Sequence, residues 1–460
     1  MTLPPPTAHG VEPPTRSVRA ELPILLGLAM PLVLTNAGNM LLGLVDVGVV
    51  GRIGEDAIAG AGLGNAIFFT TGLFGLGVLL GLDPLLSQAL GAGDPKRARG
   101  VLTQGAWLAL LLSIPLAMII ALVAWALPWL GQEPGVAVAA RAYVLARLPS
   151  LLPFLALTAV RAYLQAIGRS RSLVWGVLAA NVVNLPVAIA LSFGWRAIGL
   201  PALGVAGAGL AATIATLVQL FVSMAPLARI DRERGDAGHS RAIDRTLLFA
   251  AWRLGAPIGA QILLEAGSFA LVAFLIGHFG RLPLGAHQIA LSCVSCTFQI
   301  ALGVAAATSV RVGSAVGHGD ERGARIAGLT GIVTGATGML FGAVIFGAMP
   351  RLVARALTDR PEIVDAAIPF LLVAACFQLS DGVQTVSQGA LRGAGDTRLP
   401  LFLNVLGHYV IGLPIGLVLA YRVGLGAVGL WWGLSAGLTA VAIAMTLRFL
   451  RVSSRPIARA

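Results

Sequence analysis

Three carboxylates stand far from any polar stretch of this chain: Asp46 in LLGLVDVGVV, Glu265 in GAQILLEAGSFALV and Asp381 in CFQLSDGVQTVSQ. If those apolar runs cross a bilayer, an ionised carboxylate at the centre costs roughly 2.5–3.5 kcal/mol, or about 8–10 kcal/mol for the three unpaired. Two chemistries suit such groups. A carboxyl buried in apolar surroundings can take up a proton near neutral pH, and a carboxylate with neighbouring oxygens can hold Na⁺. The bland alternative is an ion pair with an arginine such as Arg161, Arg253 or Arg311; the functional reading is preferred at all three acids.

Helical spacing sets other polar groups beside them. Gln384 follows Asp381 by one turn and Gln261 precedes Glu265 by one turn, so each shares a face with its acid. Asn181 and Asn184 lie one turn apart before Pro186 in AANVVNLPVA. Amides inside a span need partners, and a nearby proline frees a carbonyl. The two either join Asp46 in a polar pocket or tie helices together. Asp83, before Pro84, lies within about two turns of a basic connector, where a carboxylate reaching solvent is as reasonable as a functional one. His287 has no ligand-like spacing around it and reads first as a packing residue. Cys293 and Cys296 form a C-x-x-C with no second pair, and read as small residues packing within a helix. No G-x-x-x-x-G-K-[ST] stretch exists, Lys96 being the single lysine, so ATP is not the direct energy source and no cofactor is expected. Glycines at GxxxG spacing, such as Gly60/Gly64 and Gly77/Gly81, suit close helix packing.

The elements that must position these residues follow from composition. Of 460 residues 57% are apolar and 11% charged, against roughly 25% charged in a soluble domain; the mean hydropathy is +0.87. At about 20 residues per span, the expected fold is an all-α integral membrane protein with twelve transmembrane helices, over 22–50, 57–90, 101–128, 138–165, 172–193, 203–226, 247–278, 284–316, 325–348, 362–392, 399–420 and 425–448. The net charge of +12 does not indicate nucleic acid, because the basic residues sit in short connectors and form no continuous patch. With the N-terminus in the cytoplasm, about 20 basic residues face inward, Lys96, Arg97, Arg169 and Arg229 among them, and about 7 outward, such as Arg52, Arg196 and Arg281. Five remain within or near spans. This predicts both termini on the cytoplasmic side, with Trp129, Trp195, Trp431 and Trp432 as interface anchors; arginine outnumbering lysine 31 to 1 adds a compositional hint of a GC-rich bacterial genome, and with it the expectation of a bacterial inner membrane. Residues 1–19 are Pro-rich and read as a disordered cytoplasmic tail without a signal peptide; residues 451–460 form a second tail.

The chain repeats itself. Pro31, Gly51, Gly54 and Asp94 recur as Pro257, Gly277, Gly280 and Asp320, each displaced by 226. LQAIGRSR (164–171) recurs as LRGAGDTR (391–398), and Leu185-Pro186 as Leu413-Pro414. Two six-helix lobes are expected, 20–226 and 246–450, joined by the charged connector 227–245. Six is even, so the repeats are parallel, related by an axis along the membrane normal, and a transported molecule would sit in the cleft between them.

In this order, PLVLTNAGNMLLGLVDVGVVGRIG (31–54), GLDPLLSQALGAGD (81–94), NVVNLP (181–186), APIGAQILLEAGSF (256–269), GAHQIAL (285–291), SVRVGSAVGHGD (309–320) and SDGVQTVSQGALRGAGD (380–396) resemble the multidrug and toxic compound extrusion (MATE) transporters, specifically their NorM-like branch. The resemblance covers about residues 20–450. It implies a V-shaped bundle of two pseudo-symmetric lobes that exports cationic or amphipathic drugs in exchange for Na⁺ or H⁺. On matching positions, it implies that Asp46, with Asn184, couples protonation to drug release. It likewise implies that Glu265 and Asp381 are the acids of the coupling-cation site. Two positions depart from the pattern: Ala188 replaces a second asparagine, which thins the hydrogen-bond network of the first lobe, and Phe377 replaces a tyrosine, which removes a hydroxyl from the cation site.

Two other functions compete. A flippase for lipid-linked oligosaccharides or peptidoglycan precursors, from the same superfamily, calls for cationic residues facing a pyrophosphate and usually two further helices. A membrane-embedded enzyme calls for a Ser/His or metal-binding set at one depth. The buried set here is acidic, so antiport with drugs, a coupling cation and the lipid bilayer as partners is the preferred expectation, with no obligate protein partner.

Overall fold

Apolar runs punctuated by glycine and short polar connectors have one favourable course through a bilayer, a helix that satisfies its own backbone. The structure is a computed structural model that describes residue 15 and residues 17–195, 199–234 and 242–459. Twelve helices are long and apolar enough to cross a membrane: α1 (Val18–Val50), α2 (Glu55–Gly91), α3 (Pro95–Leu130), α4 (Pro134–Ala166), α5 (Arg171–Phe193), α6 (Val205–Arg232), α7 (Arg245–Gly277), α8 (Arg281–His318), α9 (Glu321–Ala348), α10 (Pro361–Gly393), α11 (Arg398–Arg422) and α12 (Gly426–Val452). Each coincides with one of the twelve segments read from the sequence. α1 begins inside the stretch assigned to the N-terminal tail, because the Ser17 side chain accepts the Ala20 N–H and caps the helix. Residues 1–14 and 16 of that tail, and 235–241 of the connector, lie outside the described residues. Helix also continues over Leu227–Arg234, past the expected end of the sixth span.

The repeated connectors have a shared local cause. Gly93 and Gly319 take φ of 75° and 74°, a left-handed conformation that glycine adopts without steric cost. Asp94 and Asp320 then cap α3 and α9, accepting the Arg97 and Gly323 N–H groups, each at 2.8 Å. The repeat slips within α11: Arg171 and Arg398 are 227 apart, Pro186 and Pro414 are 228 apart. A π turn over Leu406–Gly412 absorbs the extra residue.

Helices α1–α6 and α7–α12 form two lobes, and glycine sets where they meet. A Cβ on Gly77 or Gly81 of α2 would strike the α7 backbone at Gly259 or Gly255. One on Gly317 of α8 would strike the Gln88 carbonyl, and one on Gly303 would strike α1 at Val33. All four lie in the halves of these helices nearest the connector between the lobes. Every inter-lobe ion pair among the described residues lies there too. Arg311 of α8 grips Glu21 of α1 (Nε–Oε1 2.5 Å, Nη2–Oε2 2.7 Å), both about 1% exposed. Arg392 of α10 reaches Asp83 of α2 at 3.2 Å. Gln88 Nε2 donates to the Gly393 carbonyl at 3.0 Å. The lobes are therefore fastened at the connector end and splay toward the other, as a V.

Three sequence expectations change here. Asp83 is 2% exposed and joins an inter-lobe ion pair, because the facing lobe, not solvent, covers the inner end of α2. Trp431 is no interface anchor: it is 1% exposed in the core of the second lobe, donating its indole N–H to His287 Nδ1 at 2.9 Å. Trp129, by contrast, is 85% exposed. Cys293 is buried as expected of a packing residue, whereas Cys296 is exposed and its Sγ lies 3.7 Å from Met40 Sδ of the other lobe.

Candidate functional site: a polar chamber in each lobe

In the first lobe, α1 and α5 pack along their lengths and bring Asp46 to Asn184. The Asn184 Nδ2 donates to Asp46 Oδ1 at 2.9 Å, and both residues are buried. Asn184 Oδ1 is buried without a hydrogen-bond partner. Asn181, one turn earlier, does the other job left open by the sequence. Its Nδ2 bridges the Gly38 carbonyl (3.0 Å) and the Val177 carbonyl (2.8 Å), tying α5 to α1. Ala188 is fully buried beside Val49 and Ala211, so the place of a second amide is filled by packing.

Sequence reasoning passed over the cation of this chamber. Arg147 lies within α4, and counting the basic residues of connectors gave it no role. It shares a helix face with buried Tyr143, one turn away, and points into the lobe rather than to lipid. Its Nη1 donates to Asn65 Oδ1 of α2 (2.7 Å) and to the Tyr143 hydroxyl (2.5 Å). Its plane stands over the Phe68 and Phe69 rings, 4.7 and 5.3 Å from their centroids. It lies within electrostatic reach of Asp46, yet no ion pair joins them.

In the second lobe, α7, α10 and α11 converge on Glu265. Gln384 Nε2 donates to its Oε1 at 2.8 Å, and Asn404 Nδ2 to its Oε2 at 3.0 Å. The amide oxygens of both partners, Gln384 Oε1 and Asn404 Oδ1, are buried with no hydrogen-bond donor. Asp381 is 5% exposed on α10, within electrostatic reach of Glu265, and no arginine among the described residues pairs with either. Gln384 thus serves the acid across the helix interface rather than the one on its own helix. Gln261 is buried one turn before Glu265 without bonding its carboxylate. His287 is fully buried, accepts from Trp431, and lies apart from both chambers. Phe377 packs its ring 5.8 Å from that of Trp431. Asn404 was missed because a single asparagine in an apolar run carries no spacing signal until α11 is set against α7.

None of the arginines weighed against these acids neutralises them. Arg311 pairs with Glu21, Arg253 is exposed, and Arg161 is within electrostatic reach of Asp83. Two membrane acids retain amide donors but no cation, and a third stands close to one of them. The two buried amide oxygens, the buried Asp381 carboxyl and the half-buried Glu265 carboxyl of the second chamber are of the kind that a hard cation takes; no cluster of three His, Cys, Asp or Glu exists among the described residues.

A twelve-helix, two-lobed membrane protein with an acid-bearing chamber in each lobe is the class that fold and site define. The sequence profile of the MatE family matches residues 31–190 and 257–418, one match in each lobe, and the chain belongs to that family. It is 36% identical over 449 residues to the probable multidrug resistance protein NorM of Bradyrhizobium diazoefficiens, covering 96% of both chains. It is 39% identical over 446 residues to the probable NorM of Deinococcus radiodurans, covering 95% of this chain and 97% of the relative. Among solved structures, the eukaryotic MATE transporter AtDTX14 superposes with a TM-score of 0.83 at 23% identity, covering 96% of this chain and 100% of that one. A multidrug resistance MATE family transporter in an outward-facing conformation does so at 0.85 and 19% identity, covering 96% and 99%.

Proposed function

We propose that the protein is a secondary active multidrug efflux transporter that exchanges cationic or amphipathic drugs for Na⁺ or H⁺ by alternating access. The observation that carries this reading is the state of the membrane acids. Asp46 and Asp381 are buried and Glu265 half-buried, with amide donors or each other for company and, among the described residues, no arginine paired with them. Acids placed so at a cost of several kcal/mol are suited to exchanging one cation for another. The names of the NorM relatives point the same way.

In this mechanism the lobes, 20–226 and 246–450, rock about the connector-end contact, with that end in the cytoplasm. In the state open to the far side, a cation binds Glu265 and Asp381, or a proton neutralises Asp46. For Na⁺, the Glu265 and Asp381 carboxylates and the unsatisfied Gln384 and Asn404 oxygens supply the ligands. For a proton, loss of the Asp46 charge removes the attraction on a bound cationic drug, while Asn184 keeps the carboxyl oriented. Drug loading from the other side then displaces the coupling ion. Reciprocal negative coupling of about 1–3 kcal/mol is enough, and each charge moved inward adds about 2.3 kcal/mol per 100 mV.

Equilibrium binding of ethidium to the purified full chain tests this. Na⁺ addition, or a fall in pH, is expected to raise the ethidium Kd by roughly 5- to 150-fold. The direction with pH follows because protonation removes the negative charge that holds the dye. Glu265→Gln is expected to abolish any Na⁺ response. An ethidium Kd indifferent to both Na⁺ and pH would sink the exchange mechanism.

A further inference from the structure

The repeat that relates the two lobes also exposes a difference in charge between them. In the first lobe Arg99 of α3 pairs with Asp231 near the end of α6, Nη2–Oδ2 2.6 Å. Arg325 of α9 is its equivalent, 226 positions later, and the end of α12 takes the place of the end of α6. No carboxylate meets it there: Arg325 Nη1 donates to the neutral Ser454 hydroxyl at 3.1 Å. Arg325 lines a groove of about 810 Å³ where the connector-side ends of α9, α10 and α12 come together, and Arg448, Arg451 and Arg455 line it too. The carboxylate among the described lining residues, Asp396, is taken by Arg448, Nε–Oδ2 2.7 Å. Among the described residues, no acid pairs with Arg325, Arg451 or Arg455.

A cation in the last turn of a helix answers the dipole there, which accounts for one arginine at the end of α12. It does not account for three guanidinium groups without acids around one concavity, whose mutual repulsion an anion relieves. The arginine fork matches phosphate oxygens in bidentate geometry, and basic pockets between the ends of membrane helices take anionic headgroups. The groove lies where three spans end, the depth at which headgroups lie. Leu447, 49% exposed and one turn before Arg451 on α12, continues its lining toward the apolar part of the span.

We propose that the groove between the ends of α9, α10 and α12 binds the phosphate of an anionic phospholipid headgroup, with Arg325, Arg451 and Arg455 on its oxygens and Leu447 against its acyl chain. The bound phosphate does for Arg325 what Asp231 does for Arg99 in the first lobe. Free inorganic phosphate shares the oxyanion chemistry; the position at the span ends and the exposed leucine favour the lipid. The second lobe thereby carries a lipid site at its connector end that the first lobe closes with its own carboxylate.

The test is native mass spectrometry of the full chain in detergent, titrated with dioleoylphosphatidylglycerol or with dioleoylphosphatidylcholine, which has the same chains and phosphate but no net charge. Phosphatidylglycerol is expected to bind the more tightly. Arg451→Gln/Arg455→Gln, at two exposed positions, is expected to raise its Kd by roughly thirtyfold, about fivefold for each charge lost. Ser454→Asp, which gives Arg325 the carboxylate its counterpart already has, should raise it by about fivefold or more. Lys96→Gln/Arg171→Gln, which removes two exposed charges at the same end of the first lobe, should leave it unchanged. Equal weakening by the two double variants would reduce the groove to general surface charge and overturn the proposal, as would equal binding of the two lipids. Displacement of phosphatidylglycerol by millimolar inorganic phosphate at constant ionic strength would make the soluble anion the ligand and overturn the lipid assignment.

Discussion

Asp46→Asn is expected to lower gradient-driven efflux of a lipophilic cation by at least about thirtyfold in kcat/KM, the equivalent of losing roughly 2–5 kcal/mol from a buried, hydrogen-bonded charge. The substitution is chosen because it removes charge and little else. Asn184 Nδ2 donates to Asp46 Oδ1, and an asparagine oxygen accepts that bond equally well. The helix contact between α1 and α5 is also held by Asn181, bound to the Gly38 carbonyl. The thermal midpoint should therefore stay within a few degrees of wild type. Efflux at the wild-type rate would show that the charge of Asp46 is idle. Loss of efflux together with a large fall in the midpoint would assign the residue to folding instead.

The second large effect concerns the fastened end of the V. Arg311→Met leaves Glu21 about 1% exposed with Thr15 as its remaining hydrogen-bond partner, at 2.6 Å. Removing one member of a buried ion pair costs about 3–5 kcal/mol, and because this pair joins α1 to α8 the cost falls on the arrangement in which the lobes touch at that end. The population ratio should move toward separation there by about a hundredfold or more. Spin labels at Lys96→Cys and Arg322→Cys, exposed equivalents at the starts of α3 and α9, would read this as a new, longer distance, in a background lacking Cys293, Cys296 and Cys376. The double variant Glu21→Leu/Arg311→Met, with no buried charge to expose, should return toward the wild-type distance. An unchanged distribution in Arg311→Met would mean that the other contacts at that end, the Arg392–Asp83 pair, the Gln88–Gly393 bond and the glycine packing at Gly77/Gly259 and Gly81/Gly255, fasten the lobes without it.

The residues read from the sequence and those found only in the structure differ in a physical way. Spans are legible because bilayer thickness imposes about 20 apolar residues on each, and all twelve were found that way. The repeat was legible because its turns are built by residues with narrow requirements: Gly93 and Gly319 at positive φ, Asp94 and Asp320 at caps. The membrane acids were legible because a carboxylate in an apolar run is expensive wherever it points. What remained hidden were pairings between distant helices. Asn404 meets Glu265 across 139 positions, Arg147 meets Asn65 across 82, and Arg311 meets Glu21 across 290. Nothing in one helix encodes which face of another it will meet. Asp83 and Trp431 were misplaced for the same reason, since distance along a span from its end says nothing of the neighbour covering it. Counting arginines on connectors likewise left Arg147 without a role, because its partners are an amide, a phenol and two aromatic faces rather than an acid.

The measurement that bears most directly on the account is efflux of ethidium from proteoliposomes under an imposed Na⁺ or H⁺ gradient, wild type beside Asp381→Asn. Cation exchange at the membrane acids predicts that one inward gradient drives efflux from wild type, that collapsing it stops efflux, and that Asp381→Asn transports little under either. The gradient that works names the coupling ion. Efflux that ignores both gradients, with Asp381→Asn equal to wild type, would contradict cation-coupled exchange.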